Sequence, residues 1–215
     1  MGKSVSIVVP TYKRLDNIIR TYEDLKDLDA KIFFVCHETD KESHEMLKSL
    51  PVEIIIDTQP PSGANATNAG YWGSDGDLVV IGQDDFKWHT GWLDEALKVM
   101  DETGAKVVGL NDGFIGRHEH SVGWLLDREY VEENSLSIGH PNVIFNPDYV
   151  KNFSDNELND TAKFRKVWAY AEGALCEHLH PSFGKGKTDE TYERPDKHFS
   201  EDFMLYHKRK HLFGI

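Results

Sequence analysis

The sequence predicts an α/β protein with a mainly parallel central sheet and helices on both of its faces. Short runs of β-branched and aliphatic residues, each bounded by turn residues, have the pattern of strands buried on both faces. Segments of helical period separate these runs, as in the spacing of Leu15, Ile18, Tyr22 and Leu25. Strands that alternate with helices are joined by crossover connections, and such connections make neighbouring strands parallel.

The first half of the chain supplies the regular part of this pattern. Its predicted strands are 4–10, 31–36, 53–57, 78–81 and 106–110, and its predicted helices are 15–25, 41–50, 64–72 and 93–100. The second half is less regular. There we expect a strand or hairpin over 122–131, a helix over 156–170 and a late strand over 174–180.

Composition sets limits on the classes of function. Hydrophobic residues make up 39% and charged residues 28%, and no apolar run approaches the roughly 18 residues of a membrane span. We therefore expect a cytoplasmic protein with reduced thiols at Cys36 and Cys176 and no secretory leader. A net charge of −13 disfavours binding of nucleic acid through its phosphates. The basic run 207–211 is more typical of a solvated helix end than of a binding patch.

An acidic pair follows the fourth predicted strand. Asp84 and Asp85 come directly after the apolar run 78–81, at the carboxyl end where open α/β sheets bind ligands. Two adjacent carboxylates repel each other, so the pair suits a hard divalent cation such as Mg²⁺ or Mn²⁺. The alternative is a solvated turn, because aspartate is common in turns.

Three segments in order resemble the family 2 glycosyltransferases of GT-A fold. They are 6–12 (SIVVPTY), 66–70 (ATNAG) and 76–85 (GDLVVIGQDD) followed by 91–93 (GWL). The resemblance implies one GT-A-like domain over 1–215, with a nucleotide-sugar-binding half to about residue 112 and an acceptor-binding half after it. It also implies a nucleotide-sugar donor, with a UDP-sugar favoured, a Mn²⁺ or Mg²⁺ cofactor and an inverting transfer to an acceptor hydroxyl.

The resemblance also assigns residues to the donor site. The donor-binding candidates are Pro10, Thr11, Tyr12, Asp40, Asn65, Asn68 and Asp84. Tyr12 is expected beside the base, although an aromatic at the edge of the core would have the same pattern. Asn65 and Asn68 share a helix face, where amides also serve as local caps. The second strand ends in Cys36-His37 and lacks the family's aspartate, so the choice between uridine and guanosine stays open.

The metal ligands that the resemblance implies come from two segments. Asp85 matches the second aspartate of the family's Asp-x-Asp motif, whereas Gln83 replaces the first. His178 and His180 lie two apart and would share a strand face, and the family often uses a late histidine as a further ligand. We expect one of the two histidines to bind the metal and the other to lie beside it, unless the pair is only a polar strand face.

An inverting transfer needs a base that takes the proton of the acceptor hydroxyl. Asp155 and Glu157 resemble the acidic pair before the family's acceptor helix, and Asp155 is the first choice for the base with Glu157 second. Carboxylates in a first helical turn are also ordinary caps. Asp112 and Asp127 are the next candidates.

Two other functions fit parts of the sequence. A sugar nucleotidyltransferase also uses metal-binding carboxylates, but it would carry a glycine-rich loop after the first strand, where this chain has 11–14 (TYKR). A GT-A-like binding module without catalysis is the stronger rival, because Gln83 occupies the first motif position. The acceptor stays open among a glycan, a small molecule, a protein and a modified DNA base, with a soluble acceptor favoured.

Overall fold

The computed structural model describes residues 2–114, 118, 120–150, 152–181, 184–186, 188 and 198–215. The strands in these residues are β1 Val5–Thr11, β2 Lys31–His37, β3 Glu53–Asp57, β4 Leu78–Ile81, β5 Phe86–Trp88, β6 Val107–Asn111, β7 Trp124–Asp127 and β8 Trp168–His178. The helices in these residues are α1 Leu15–Leu25, α2 Lys41–Leu47, α3 Gly63–Gly73, α4 Trp92–Thr103, α5 Arg128–Asn134, α6 Ser154–Phe164 and α7 Phe199–Arg209, with a 3-10 turn at Lys210–Phe213.

The strands form one mixed sheet in the order β3-β2-β1-β4-β7-β6-β8-β5. The first four of these positions are parallel, as the alternating pattern predicts. β7 then lies antiparallel between β4 and β6, while β6 and β8 are parallel to each other. The predicted α/β class with its parallel core is confirmed, and the antiparallel β7 makes the whole sheet mixed.

Both faces of the sheet are covered, and β1 shows why. Val5, Ile7 and Val9 pack into one apolar cluster, which α1 and α4 complete, whereas Val8 packs into a second cluster with α3 and α6. Strand side chains alternate between faces, so an unbroken apolar strand needs a helix layer on each side. Close packing on the second face depends on Gly70, where a Cβ would lie 2.3 Å from a methyl group of Val8.

The predicted helix 156–170 is wrong beyond Phe164. Lys166 takes a left-handed backbone conformation with φ of 59°, and the N–H of Val167 donates to the carbonyl of Ala162 at 3.0 Å. This is the hydrogen bond of a Schellman cap, which ends the helix and turns the chain into β8. Glycine usually occupies the left-handed position, so a lysine there hides the helix end from a sequence pattern.

Two further expectations need correction. The strand or hairpin predicted over 122–131 is a strand only as far as Asp127, whose side chain accepts from the N–H of Tyr130 at 3.1 Å and caps α5. The late strand predicted over 174–180 is β8, which begins earlier at Trp168, ends at His178 and pairs antiparallel with the three-residue strand β5.

Three simpler predictions agree with the structure. Cys36 and Cys176 are buried free thiols, and burial raises the pKa of Cys36 to about 12. The basic run 207–211 spans the end of α7, as expected. In the part of the chain that the structure describes, no helix has both the length and the apolar character to cross a membrane.

Candidate active site

The acidic pair lies in the turn between β4 and β5, and the pairing of β5 with β8 places it opposite the late histidines. Phe86 is in register with His178, and the N–H of Leu179 donates to the backbone carbonyl of Asp85 at 2.9 Å. Asp84 and Asp85 are 4% and 6% exposed. The pair is therefore built into the sheet edge, and the solvated-turn alternative does not describe it.

Asp85 and His178 face each other directly. The Nε2 atom of His178 lies 3.3 Å from the Oδ1 atom of Asp85, and both side chains are largely buried. The ring of His180 packs edge-on against that of His178, with centroids 5.1 Å apart, although His180 lies beyond the end of β8. The expected proximity of the two histidines is therefore present, with His178 adjacent to the carboxylate.

Asp84 is held by residues at the end of β1. Thr11 donates its hydroxyl to Asp84 Oδ2 at 2.8 Å, and Arg14 Nη1 donates to Asp84 Oδ1 at 2.8 Å. Arg14 also lies 3.5 Å from Asp85 Oδ2. Burial raises the pKa of Asp84 to about 6, with the Asp85 charge adding to the rise and the Arg14 guanidinium opposing it. Thr11 therefore positions Asp84, and Arg14 partly neutralises the acidic pair.

The chemistry of these side chains suits a divalent cation. A carboxylate and an imidazole that face each other are acceptable ligands for Mn²⁺. Within the described residues, no group of three or more His, Cys, Asp and Glu side chains forms a complete metal cage. An ion at Asp85 and His178 would therefore take its other ligands from water and from phosphate oxygens, which is usual where a metal binds with a phosphorylated substrate.

A cavity of about 560 Å³ opens beside the acidic pair. Its described lining consists of Lys13, Arg14, Leu15, Asp16, Asn17, Arg20, Glu42, Asp85, Leu179, Gly186 and Thr188. Arg20 also donates to the backbone carbonyl of Asp84 at 2.8 Å, which ties the middle of α1 to the acidic turn. The lining thus mixes three cationic side chains with the carboxylates of Asp16, Glu42 and Asp85, and such a mixture suits an anionic ligand with a bound metal ion.

The other residues predicted at the end of β1 and in the next loop shape this region. Pro10 and Tyr12 are half-buried there, and the Lys13 ammonium lies 5.3 Å from the centre of the Tyr12 ring. Asp40 is buried, caps α2 through the N–H of Ser43 at 3.2 Å, and accepts from the N–H of Lys13 at 2.7 Å. Asp40 thus fixes the loop that carries Lys13.

The two predicted amides have different surroundings. Asn68 is 1% exposed, donates to the carbonyl of Phe145 at 2.8 Å and accepts from the N–H groups of Ile144 and Phe145 at 3.0 Å. These bonds and its burial make Asn68 part of the scaffold that holds the 144–145 segment. Asn65 donates to the carbonyl of Pro60 at 2.8 Å in the first turn of α3 and is partly exposed.

Glu157 is also not available as a base. It is 1% exposed and accepts from Arg209 Nε at 2.7 Å and Nη2 at 2.8 Å, from the Ser137 hydroxyl at 2.8 Å and from the Tyr149 hydroxyl at 2.9 Å. The hydrogen bonds with Glu157 raise the pKa of Arg209. Glu157 is a buried structural anion that joins α6 to α7, which corrects the second choice for the base.

Asp155 lies two residues earlier in the same helical turn and is half-exposed. Its side chain is 31% exposed, and its Oδ2 atom lies 3.3 Å from the Nε2 atom of His120. Of the fallback candidates, Asp127 is buried and ion-paired with Lys3 and Lys106 at 2.9 and 3.2 Å, so it is structural. The backbone carbonyl of the buried Asp112 accepts from the N–H of His178 at 2.9 Å.

Sequence reasoning missed Arg14, Arg20 and His120. The two arginines follow β1 closely enough that a search for cations after the first strand would have found them. His120 has no local signal, because its partners lie in α6, about 35 residues away along the chain.

Comparison with known proteins decides the family. The model of glycosyl transferase family 2 matches residues 6–151, which is more than half of the chain. The chain belongs to glycosyl transferase family 2. A curated relative, the amylovoran biosynthesis glycosyltransferase AmsB of Erwinia amylovora, is 28% identical over 108 residues, covering 46% of this chain. The chain spans only 36% of the length of that relative.

Several solved glycosyltransferase structures share the fold at low sequence identity. TarS of S. aureus in complex with UDP-GlcNAc has a TM-score of 0.71 at 13% identity, covering 94% of this chain and 65% of that one. The mannosyltransferase PcManGT of Pyrobaculum calidifontis, in complex with GDP-Man and Mn²⁺, has a TM-score of 0.65 at 16% identity, covering 95% and 70%. Glucosyl-3-phosphoglycerate synthase of Mycobacterium tuberculosis with Mn²⁺ and UDP has a TM-score of 0.62 at 15% identity, covering 85% and 74%.

Proposed function

We propose that this chain is a metal-dependent transferase that moves a sugar from a nucleoside diphosphate sugar to an acceptor hydroxyl, with inversion. The observation that carries the proposal is the contact between Asp85 and His178, 3.3 Å apart at the edge of a cavity of about 560 Å³ that Lys13, Arg14 and Arg20 help to line. Family membership supplies the reaction class, and solved relatives that bind UDP-sugars or GDP-Man support the donor class.

The cavity is suited to the diphosphate of the donor. Lys13, Arg14 and Arg20 line it and lie where the end of β1 meets α1. Cationic side chains around a diphosphate stabilise the charge that grows as the sugar–phosphate bond breaks. Tyr12 and Pro10, at the same strand end, are proposed to contact the nucleoside, with Asp40 holding the loop that carries Lys13.

Asp85 and His178 are the proposed ligands of a Mn²⁺ or Mg²⁺ ion, with Asp84 and His180 beside them. The ion would act as a Lewis acid on the diphosphate leaving group. Asp84 is the proposed partner of the sugar hydroxyls, with its two oxygens held in place by Thr11 and Arg14 at 2.8 Å each.

Asp155 is the proposed base. The connection between β6 and β7 touches both regions: the carbonyl of Asp112 accepts from the N–H of His178, and His120 contacts Asp155. Asp155 is half-exposed in the first turn of α6, whereas its neighbour Glu157 is covered. An acceptor hydroxyl that approaches from this side would lose its proton to the Asp155 carboxylate as it attacks the sugar.

A thermal-shift and hydrolysis experiment tests the proposal. The protein is mixed with UDP-glucose, UDP-N-acetylglucosamine or GDP-mannose, with Mn²⁺ or with EDTA. Binding at a hundredfold excess over Kd stabilises a fold by about 2.7 kcal/mol, a rise in Tm of about 5–10 °C. We expect this rise for one donor class with Mn²⁺, and its loss with EDTA or in Asp85→Ala. No metal-dependent shift with any donor would contradict the proposal.

A binding module without catalysis is the second candidate, and one observation favours it. Gln83, in place of the first motif aspartate, donates to the backbone carbonyl of Val122 at 3.2 Å and so belongs to the scaffold. The two functions differ in slow hydrolysis of the bound donor without acceptor. A transferase releases nucleoside diphosphate over hours, whereas a binding module shows the thermal shift and no release.

A further inference from the structure

We propose that His120 is a positioning residue that holds the base Asp155 in one orientation through a single, fixed imidazole tautomer. The inference rests on the proposed function, because it takes Asp155 as the proton acceptor. His120 lies in the connection between β6 and β7, whereas Asp155 lies on α6. The hydrogen bonds of four residues, Trp124, Asn159, His120 and Asp155, carry it.

The chain of hydrogen bonds begins at the indole nitrogen of Trp124, a group that can only donate. The indole Nε1–H of Trp124, a fully buried residue, donates to Asn159 Oδ1 at 3.1 Å. An indole nitrogen can only donate, so the oxygen of the Asn159 amide must face Trp124. The amide nitrogen then points the other way, where it donates to the carbonyls of Ser121 and Asp155 at 2.8 Å each.

The orientation of Asn159 fixes the tautomer of His120. Its amide nitrogen lies 3.3 Å from His120 Nδ1, and an NH₂ group carries no acceptor for an Nδ1–H. The neutral ring therefore keeps its lone pair on Nδ1 and its proton on Nε2. Nε2 lies 3.3 Å from Asp155 Oδ2, so His120 donates to the carboxylate. A buried asparagine, itself 1% exposed, thus sets the direction of the proton on a half-exposed histidine.

This arrangement separates the roles of the two residues. The Nε2 atom of His120 carries the proton that it donates to Asp155, and Nδ1 faces the Asn159 amide nitrogen, so neither ring nitrogen is presented to the acceptor hydroxyl. Oδ2 of Asp155 accepts from His120, and no hydrogen bond within the described residues involves Oδ1. His120 therefore fixes the plane of the carboxylate and presents Oδ1 as the proton acceptor, much as an outer hydrogen bond orients a metal-bound histidine.

Two matched variants of His120 test this role. Glutamine places an N–H donor about where the Nε2 atom of histidine lies, whereas asparagine is one methylene shorter and does not reach Asp155. The measured rate is hydrolysis of the nucleotide-sugar that stabilises the protein most, with Mn²⁺ and with water as acceptor. We expect His120→Asn to lower kcat about 10- to 100-fold with donor KM unchanged, as for other outer hydrogen-bond partners. His120→Gln should restore most of the rate.

A double-mutant cycle distinguishes the positioning role from the assignment of the base. If His120 acts through Asp155, then His120→Asn should lower kcat no further in the Asp155→Asn background. If His120→Asn lowers kcat by the same factor in both backgrounds, the positioning role is overturned and the base is not. The same holds if His120→Asn keeps the parental kcat while Asp155→Asn is slow. A parental rate in Asp155→Asn would overturn the base and this inference together. Unchanged melting temperatures of the variants exclude a loss of fold as the cause.

Discussion

Arg209 donates to both carboxylate oxygens of Glu157, at 2.7 and 2.8 Å, and so joins the end of α7 to the first turn of α6. Both side chains are nearly covered, at 14% and 1% exposure. The carboxylate also accepts from Ser137 and Tyr149, which brings the loops after α5 into the same network. Glu157 therefore stabilises the fold of the second half, whereas its neighbour Asp155, the proposed base, is half-exposed.

Replacing Glu157 by alanine should destabilise the protein strongly. The variant leaves the Arg209 guanidinium buried without its anion, and breaking a buried pair from one side costs about 3–5 kcal/mol. Urea unfolding measures the change in free energy. Asp155→Asn is the control on the same helix turn and should change stability by less than about 0.5 kcal/mol. A Glu157→Ala variant as stable as its parent would show that the Arg209 network adds nothing.

The sequence predicts the sheet core well because the information is local there. Each of β1 to β4 is an apolar run with turn residues at its ends. The helical period places Leu15, Ile18, Tyr22 and Leu25 on one face of α1. The prediction fails where one residue overrides the pattern. Lys166 ends α6 in a left-handed conformation, which is unusual for lysine. The pattern therefore predicts helix where β8 begins.

The candidate site is predictable only in part, for a related reason. The strand end identifies Asp85, and the period of two identifies His178, but their contact depends on the register of β5 with β8. Side-chain partners that are far apart along the chain cannot be paired from the sequence pattern. Arg209 and Glu157 lie 52 residues apart, and both carboxylates of the pair 155 and 157 look alike until their partners are known.

Arg14 should stabilise the metal-free protein more than the metal-bound one. Its guanidinium hydrogen-bonds to the buried Asp84 at 2.8 Å, and a hydrogen bond to a charged group contributes about 1.5–3 kcal/mol. In EDTA, Arg14→Gln should lower Tm by about 3–12 °C. With Mn²⁺ alone the deficit should shrink, because a bound cation supplies positive charge to the same carboxylates.

The control for Arg14 is Lys26→Gln. Lys26 is an exposed residue whose ion pair with Glu23 stays within the region of α1. Its removal should change Tm little in either buffer, because solvent and salt screen an exposed ion pair. Equal deficits of Arg14→Gln with and without metal would contradict the neutralising role of Arg14.

Ionised Asp127 should stabilise the fold, and this stabilisation should be lost in acid. Burial tends to raise the pKa of this carboxyl, but hydrogen bonds from Lys3, Tyr130 and Lys106 outweigh it and lower the pKa below its usual value. A lowered folded-state pKa contributes stability that is complete above the unfolded-state value of about 3.9 and is lost as pH falls through the folded-state value. The free energy of unfolding should therefore decrease as the pH is lowered from about 4.

Asp127→Asn isolates this contribution, because asparagine caps a helix about as well as aspartate and cannot ionise. The stability gap between the parent and the variant should be constant at pH 5–7 and should narrow toward pH 2.5 in urea titrations. A gap of the same size at every pH would mean that the charge of Asp127 contributes nothing and that the variant is destabilised only by its changed hydrogen bonds.

His178 and His180 should differ in their effect on metal affinity. The Nε2 atom of His178 lies 3.3 Å from Asp85, whereas His180 contacts the His178 ring beyond the strand end. His178→Ala removes a proposed ligand and should weaken Mn²⁺ binding in the presence of UDP by more than a hundredfold. His180→Ala removes a neighbour that orients the ligand, so its cost should be about 10- to 100-fold or less.

His89 supplies the matched control for these variants. It lies 3.5 Å from Glu177, the residue before His178 on β8, and its side chain is 42% exposed. Titration calorimetry with Mn²⁺ and UDP should give the parental Kd for His89→Ala. The metal-free Tm should stay near the parental value in all three variants if the loss is one of coordination. If His178→Ala binds Mn²⁺ as tightly as His89→Ala does, then the histidine pair is only a polar strand face, and the ion must be held by the acidic pair with the diphosphate.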